Sequence, residues 1–150
     1  MKAEGLIQFI KFGLVGISNT AVDWIVYYLV TGYIITASDA KPTAKAISFL
    51  VAVINSYIWN TIWTFKKEYK SLGNKTSKGG IFLKFFIVSL VGWGINYLVF
   101  RYVLNSFTFQ DLTIAAKTIK TQELYPLIAA SAAAIVWNFF ANKLWTYKKS

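Results

Sequence analysis

The sequences WTFKK at residues 63–67 and WTYKK at residues 145–149 each end a long apolar run with an aromatic pair and two lysines. Each is preceded, one helix earlier, by a matching opening, FIKF at residues 9–12 and FLKF at residues 82–85. Tryptophan is enriched at membrane–water interfaces and lysine beyond them, so each ending is typical of a helix that leaves a bilayer. The repeat predicts two helical hairpins of parallel topology, related by an axis along the membrane normal.

The composition supports a membrane protein. Of 150 residues, 56% are apolar and only six are acidic, which is more apolar surface than a water-soluble domain of this size exposes. Four nearly uncharged stretches can each cross the roughly 30 Å hydrocarbon core. We predict transmembrane helices at residues 9–31, 44–65, 82–104 and 124–147. The predicted fold is therefore an all-α integral membrane protein, with one domain over residues 1–150, a polar linker at 66–80 and an amphipathic turn or helix in the loop 105–123.

The positive charge is unevenly distributed along this topology. If the helices alternate in direction, eleven of the 16 basic residues fall on one side of the membrane and five on the other. Basic residues concentrate in cytoplasmic loops, so we predict that both termini and the linker are cytoplasmic and that the protein lies in the cytoplasmic (plasma) membrane. This distribution also explains the net charge of +10 without a nucleic-acid partner.

The chain contains no cysteine and no histidine. Disulfides, thiol chemistry and the commonest proton shuttle and metal ligand are therefore not available. We predict no catalytic residues, no metal site and no cofactor, and we expect that the chain is not an enzyme.

Polar and small residues form matched stripes on the first and third predicted helices, which correspond at a shift of 73 residues. Their spacing of i, i+3 and i+4 places each set on one helix face. The stripes contain Gly16, Asn19 and Asp23 on the first helix and Ser89, Gly92 and Asn96 on the third. Small residues allow close helix packing and amides form interhelical hydrogen bonds, so packing alone explains most of these positions.

Asp23 needs a further explanation, because a carboxylate near the centre of a span costs about 2.5 to 3.5 kcal/mol even on insertion scales. One interpretation is an ion pair with Arg101, which lies five residues beyond Asn96 on the third helix. The other is that Asp23 lines a polar cavity, where it binds substrate hydroxyls or carries a proton. Residue patterns alone leave both open.

The second and fourth helices carry a matched polar stripe at a shift of 82 residues. Asn138 and Asn142 on the fourth helix must face protein, water or a head group, since an unpaired amide is costly in hydrocarbon. Trp63 and Trp145 are predicted to anchor the two helices at the cytoplasmic interface.

Lys11, Lys84 and Lys143 lie about one turn inside the predicted cytoplasmic boundary. Long side chains of this kind can extend to the interface, which is the simpler interpretation. The alternative is that they converge on a phosphate, because basic pockets between helices at this depth bind anionic lipid head groups.

The motifs F-x-K-F-x-x-V-G at residues 9–16 and N-F-x-x-N-K-x-W-T-Y at residues 138–147 resemble those of the GtrA family of small four-span membrane proteins. The resemblance extends over nearly the whole chain. The first motif, with the residues after it, matches Lys11, Asn19 and Asp23; the second matches Asn138, Asn142, Lys143 and Trp145. The second helix departs from the family pattern, with Ser56 where asparagine is usual and Thr61 in place of a basic residue.

The resemblance implies a function in cell-surface polysaccharide synthesis, as a flippase that moves a polyprenyl-phosphate-linked monosaccharide to the outer leaflet. A lipid-linked sugar requires cations near the interface, polar groups at depth and a groove open to lipid. The hypothesis assigns the phosphate to Lys11, Lys84 and Lys143. It assigns the sugar to Asn19, Asp23 and Asn96, with Asn138 and Asn142 in the same polar cavity.

Two other classes of protein remain compatible with the sequence. A small multidrug-type exporter would use Asp23 to exchange a cationic drug for a proton. A non-transporting scaffold would recruit a polyprenyl-phosphate glycosyltransferase through the basic linker and the termini. Because four spans leave little room around a sugar and a phosphate, we also expect a homo-oligomer surrounded by membrane lipids.

Overall fold

A computed structural model describes residues 3–34, 41–73, 77–110, 112–114, 117–119 and 121–148 of the chain. The helices are α1 (Ala3–Leu29), α2 (Lys41–Trp59), α3 (Lys66–Ser71), α4 (Lys78–Ser106) and α5 (Thr121–Ala141). Four stretches are long and apolar enough to cross a membrane: Ala3–Ile34, Pro42–Thr64, Lys78–Ser106 and Leu124–Thr146. The prediction of an all-α membrane protein with four spans is confirmed.

Two helices extend beyond the apolar stretches that predicted them. α1 begins at Ala3 and α4 begins at Lys78, each several residues before the predicted span. Hydropathy detects only the part of a helix that lies in hydrocarbon, whereas backbone hydrogen bonding continues into the polar region. The linker predicted at residues 66–80 is also partly helical, because its KKEYKS segment forms α3 from good helix-forming residues.

The loop between the third and fourth spans differs from the predicted amphipathic turn or helix. It contains two short antiparallel strands, β1 (Leu112–Ile114) and β2 (Lys117–Ile119), with Thr113 opposite Thr118. Both strands contain threonine and isoleucine, whose β-branched side chains favour strands over helices. Outside this hairpin, the regular elements of the described residues are helical.

The chain divides into two compact units. The first consists of Met1–Phe86 and Lys143–Ser150, and α1 packs along α2 within it. Its core includes Phe65, whose ring stacks on Tyr147 with 4.7 Å between ring centroids and meets Phe12 edge-on at 5.9 Å. Phe65 and Tyr147 hold the same position in the two repeated endings, so this stack places those endings in direct contact.

The second unit consists of Ile87–Asn142 and includes most of α4 and all of α5. The Trp137 indole Nε1 donates a hydrogen bond to Val88 O at 3.1 Å. A Cβ atom added at Gly92 would overlap the side-chain amide of Asn138, so glycine permits this close approach. The packing interpretation is confirmed for Gly92. It is not supported for Gly16, where an added Cβ atom would meet no atom within 4 Å.

The second and fourth spans both end in a five-residue π-helical segment, Asn60–Thr64 and Asn142–Thr146. In each segment the asparagine Nδ2 donates to the carbonyl four residues earlier, at 2.9 Å to Ser56 O and 2.8 Å to Asn138 O. A third π-helical segment, Val30–Ile34, follows α1. Wide π turns are rare and are frequently found at functional sites, and here the same turn is present at both repeated endings.

The two endings, together with Asn138 one turn before the second of them, contain buried oxygen atoms that lack a hydrogen-bond partner among the described residues. The atoms are Asn60 Oδ1, Thr64 Oγ1, Asn138 Oδ1, Asn142 Oδ1 and Thr146 Oγ1. Leaving such an atom unpaired costs about 1 to 3 kcal/mol, so the ends of the second and fourth spans, where these atoms lie, are energetically costly parts of the fold.

Candidate functional site

A cavity of about 600 Å³ lies beside the N-terminal turns of α1, within the first compact unit. Its walls come from α1, from the π-helical end of the second span, from α3 and from the segment after α5. Four lysines and two glutamates line it: Lys11, Lys66, Lys67 and Lys143, with Glu4 and Glu68. The excess of cations makes this lysine cavity suitable for an anion.

Gln8 connects the walls of the lysine cavity. Its Nε2 donates hydrogen bonds to Glu68 Oε1 at 2.7 Å and to Thr64 O at 3.1 Å. Lys143 Nζ in turn donates to Gln8 Oε1 at 2.6 Å. One amide therefore holds Lys143 against α1 and fixes α3 beside them. Sequence reasoning missed Gln8, although it lies three residues before Lys11 and so on the same face of α1.

The two tryptophans predicted as interface anchors each lie beside a lysine. Lys11 Nζ lies 5.4 Å from the ring centroid of Trp63, and Lys84 Nζ lies 5.6 Å from that of Trp145. These are cation–π contacts, and each joins the first helix of a predicted hairpin to the end of its second. The anchoring role of the tryptophans stays a prediction.

The three lysines predicted to share one phosphate are not arranged as one group. Lys11 and Lys143 line the lysine cavity, whereas Lys84 is not among the described residues that line it. Lys66 and Lys67, which the sequence places only in a polar linker, line the cavity instead because α3 carries them there. The structure thus brings together two of the three predicted lysines and adds two from α3.

An apolar groove of about 370 Å³ lies next to the lysine cavity. Leu14, Val15, Ser18, Trp59, Ile62 and Trp63 line it, between α1 and the end of the second span. Trp63 is a wall of both spaces. A cationic cavity and an apolar groove with a common wall form the arrangement that an amphiphilic anion requires.

Asp23 is paired within the first hairpin. Its Oδ2 accepts a hydrogen bond from Lys45 Nζ in an ion pair, and its Oδ1 accepts one from Ser48 Oγ at 2.7 Å. The structure thus gives Asp23 a different cation from Arg101, the sequence-based candidate. The spacing along one helix cannot reveal Lys45, because that residue approaches from α2.

The other predicted sugar-binding residues also have local explanations. Asn19 Oδ1 accepts a hydrogen bond from Asn55 Nδ2 at 3.4 Å, which ties α1 to α2. Asn96 is half-buried on α4, in the second unit. Asn138 lies against Gly92 in that unit, and Asn142 donates to the Asn138 carbonyl. The five residues are thus distributed over both units, with Asn19 and Asp23 in the first.

The departure from the family pattern at Thr61 has a structural explanation. Thr61 Oγ1 and the Tyr147 hydroxyl lie 2.9 Å apart in a buried hydrogen bond. Tyr147 follows the last span, and burial raises the pKa of its hydroxyl, so the group stays neutral. A basic side chain at residue 61 would not make this neutral contact.

In the described part of the chain, no group of three or more histidine, cysteine, aspartate or glutamate side chains lies close enough to hold a metal ion.

The family model described as GtrA/DPMS, transmembrane domain, matches residues 11–147. The chain belongs to this family. The matched region includes Lys11, Trp63 and Lys143 of the lysine cavity and the residues of the adjoining groove. Family membership thus extends over most of the site described above.

Two curated proteins are similar to this GtrA/DPMS chain. It is 25% identical over 140 residues to the uncharacterized membrane protein YngA of Bacillus subtilis (strain 168), covering 93% of this chain and 79% of that protein. It is 33% identical over 108 residues to a dolichol-phosphate mannosyltransferase of Pyrococcus furiosus. That match covers 69% of this chain and 27% of the relative, so the similarity extends over about a quarter of the mannosyltransferase.

Proposed function

We propose that the protein translocates a polyprenyl-phosphate-linked monosaccharide across the cytoplasmic membrane, for cell-surface polysaccharide or glycan modification. The observation that carries this proposal is the common wall at Trp63 between the lysine cavity and the apolar groove. The phosphate would bind Lys11 and Lys143, and the first isoprene units would lie along Leu14 and Ile62. The sugar would extend from the phosphate towards the open side of the lysine cavity.

The relatives support this class of substrate. The matched Pyrococcus furiosus protein is named for a transfer that involves dolichol phosphate, which is a polyprenyl phosphate. Because this chain matches about a quarter of that protein, we propose that it handles the lipid carrier and not the sugar-transfer reaction. We assign no catalytic step to the chain: the lysines and Gln8 bind and orient an anion, and the end of the protein that carries them is proposed to face the cytoplasm.

The exporter alternative requires a carboxylate that is available to a cationic drug and to a proton. Lys45 and Ser48 already occupy both oxygens of Asp23, which favours a structural role for that carboxylate. The scaffold alternative requires a partner glycosyltransferase and no translocation by the chain alone. Translocation of the lipid-linked sugar by the chain alone is expected only for the proposed function, so one experiment separates it from both alternatives.

The test is a translocation assay with the purified chain alone in liposomes. A short-chain prenyl phosphoryl sugar, radiolabelled in the sugar, is offered outside and its accumulation inside is measured. We expect entry above that of protein-free liposomes, and loss of this excess in a Lys11→Gln/Lys143→Gln double variant. No excess entry with the wild-type chain would contradict translocation and favour the scaffold. Normal entry with the double variant would contradict the lysine cavity as the phosphate site.

A further inference from the structure

Two adjoining cavities lie further along α1, about 20 Å from Lys11 by helical rise. The smaller, of about 260 Å³, is lined by Trp24, Tyr27, Tyr28 and Lys45. The larger, of about 440 Å³, continues along the same helix face past Trp24 and Tyr28 to Tyr33. Trp24 and Tyr28 are one turn apart and form walls of both, so one continuous aromatic face borders both spaces.

The charged end of the smaller cavity is held in place by Asp23 and Ser48. Lys45 is paired with Asp23, and Asp23 accepts a hydrogen bond from Ser48, which is fully buried. The side chain of Lys45 is 58% exposed and that of Asp23 is 18% exposed, so the cavity wall presents the ammonium group. The carboxylate behind it fixes the position of that ammonium group.

The balance of charge distinguishes this place from the lysine cavity. Lysines outnumber glutamates in the lysine cavity, whereas here one lysine is matched by one aspartate. Because Asp23 balances its charge, the Lys45 ammonium group does not favour an anion, but it remains a hydrogen-bond donor for a hydroxyl group. The C–H face of a sugar ring packs on flat aromatic rings, and the tyrosine hydroxyls and the tryptophan N–H offer further hydrogen bonds.

We infer that the cavity walled by Trp24, Tyr27 and Tyr28 and closed by Lys45 binds a neutral monosaccharide unit. Binding at this site does not require that the sugar be attached to a phosphate or to a lipid tail. That its ligand is the sugar of the translocated lipid, bound at the far end of the span after the lipid has left the lysine cavity, rests on the proposed function. The site thus replaces the predicted sugar site at Asn19 and Asp23, whose polar groups are used between α1 and α2.

The test measures binding of uncharged sugars to the full chain in lipid nanodiscs. Methyl glycosides of glucose, mannose and N-acetylglucosamine are added, and saturation-transfer NMR reports contact with the protein. We expect saturation of the ring protons of at least one glycoside, and a loss of about fivefold or more in Trp24→Leu. Sorbitol, which has the hydroxyls without the ring face, is expected to give a weaker signal than that glycoside.

Trp93→Leu is the matched control, because Trp93 is 64% exposed against 63% for Trp24 and does not line either cavity. It should keep glycoside binding within about twofold of wild type. Tyr28→Leu takes the place of Trp24→Leu if the latter fails to fold. No glycoside signal from the wild type, or an equal loss in Trp93→Leu, would overturn the inference and leave Trp24 as an interface anchor.

Failure here is distinguishable from failure of the proposed function. Glycoside binding should survive Lys143→Gln, and prenyl phosphate binding should survive Trp24→Leu. The two measurements therefore test the two sites separately.

Discussion

Replacing Lys143 with glutamine is expected to weaken the binding of a prenyl phosphate by about 10- to 100-fold. Lys143 lines the lysine cavity and donates to Gln8 Oε1, so its ammonium group is already positioned for an anion. Glutamine keeps a hydrogen-bond donor but removes the charge, and hydrogen bonds to charged groups are worth about 1.5 to 3 kcal/mol. Lys66 and Lys67 remain in the cavity, which is why some binding should persist.

The measurement is a calorimetric titration of the chain in nanodiscs with a short prenyl phosphate and, separately, with the corresponding prenol. The difference between the two affinities isolates the contribution of the phosphate. Lys84→Gln is the matched control, because it makes the same substitution at a lysine outside the described lining of the lysine cavity. Lys84 also lies over a tryptophan ring, as the cavity residue Lys11 does. We expect that Lys84→Gln leaves phosphate affinity within about twofold. Equal effects of the two variants would contradict the assignment.

Asp23→Asn is expected to lower the free energy of unfolding by about 1 to 2 kcal/mol. The loss is smaller than for a fully buried ion pair, because the Lys45 side chain is largely exposed. The variant leaves Lys45 without its counter-ion inside a span and weakens the hydrogen bond from Ser48. An unpaired charge costs more than the absence of the whole pair, so Asp23→Asn/Lys45→Met should recover most of the lost stability.

The check is a double-mutant cycle on unfolding of the chain in mild detergent, with Lys45→Met alone as the fourth corner. Lys45→Arg, which keeps the charge, serves as the conservative control. A positive coupling energy between Asp23 and Lys45 is expected because they are in direct contact. Strictly additive losses would indicate that Asp23 is not a structural partner of Lys45, and would return the exporter function to consideration.

Features that depend on one segment were predictable from the sequence. The four spans follow from apolar length, and Lys11 and Lys143 were identified from their depth relative to the span ends. Trp63 was identified from its place at the end of a span, although not as the wall between a cationic cavity and an apolar groove. These properties depend on the position of a residue along one helix, and that position can be read from the sequence.

Features that depend on the register between helices were not predictable in the same way. Lys45 lies 22 residues from Asp23, and Gln8 lies 135 residues from Lys143, so no local spacing connects them. The interpretation that pairs Asp23 with Arg101 followed from the repeat, which relates the first helix to the third, whereas the contact found is with Lys45 of α2. The π-helical endings and the β1–β2 hairpin likewise arise from backbone geometry that hydropathy does not encode.

The most direct test of the proposed phosphate and tail sites is photo-cross-linking with a prenyl phosphate that carries a diazirine in its second isoprene unit. With the phosphate in the lysine cavity, the label should attach to groove residues, principally Leu14, Val15 and Ile62, as mapped by mass spectrometry. Labelling should fall sharply in Lys11→Gln/Lys143→Gln and stay near the wild-type level in Lys84→Gln. Labelling outside the groove, or labelling of the groove that does not change when both cavity lysines are removed, would contradict the proposal.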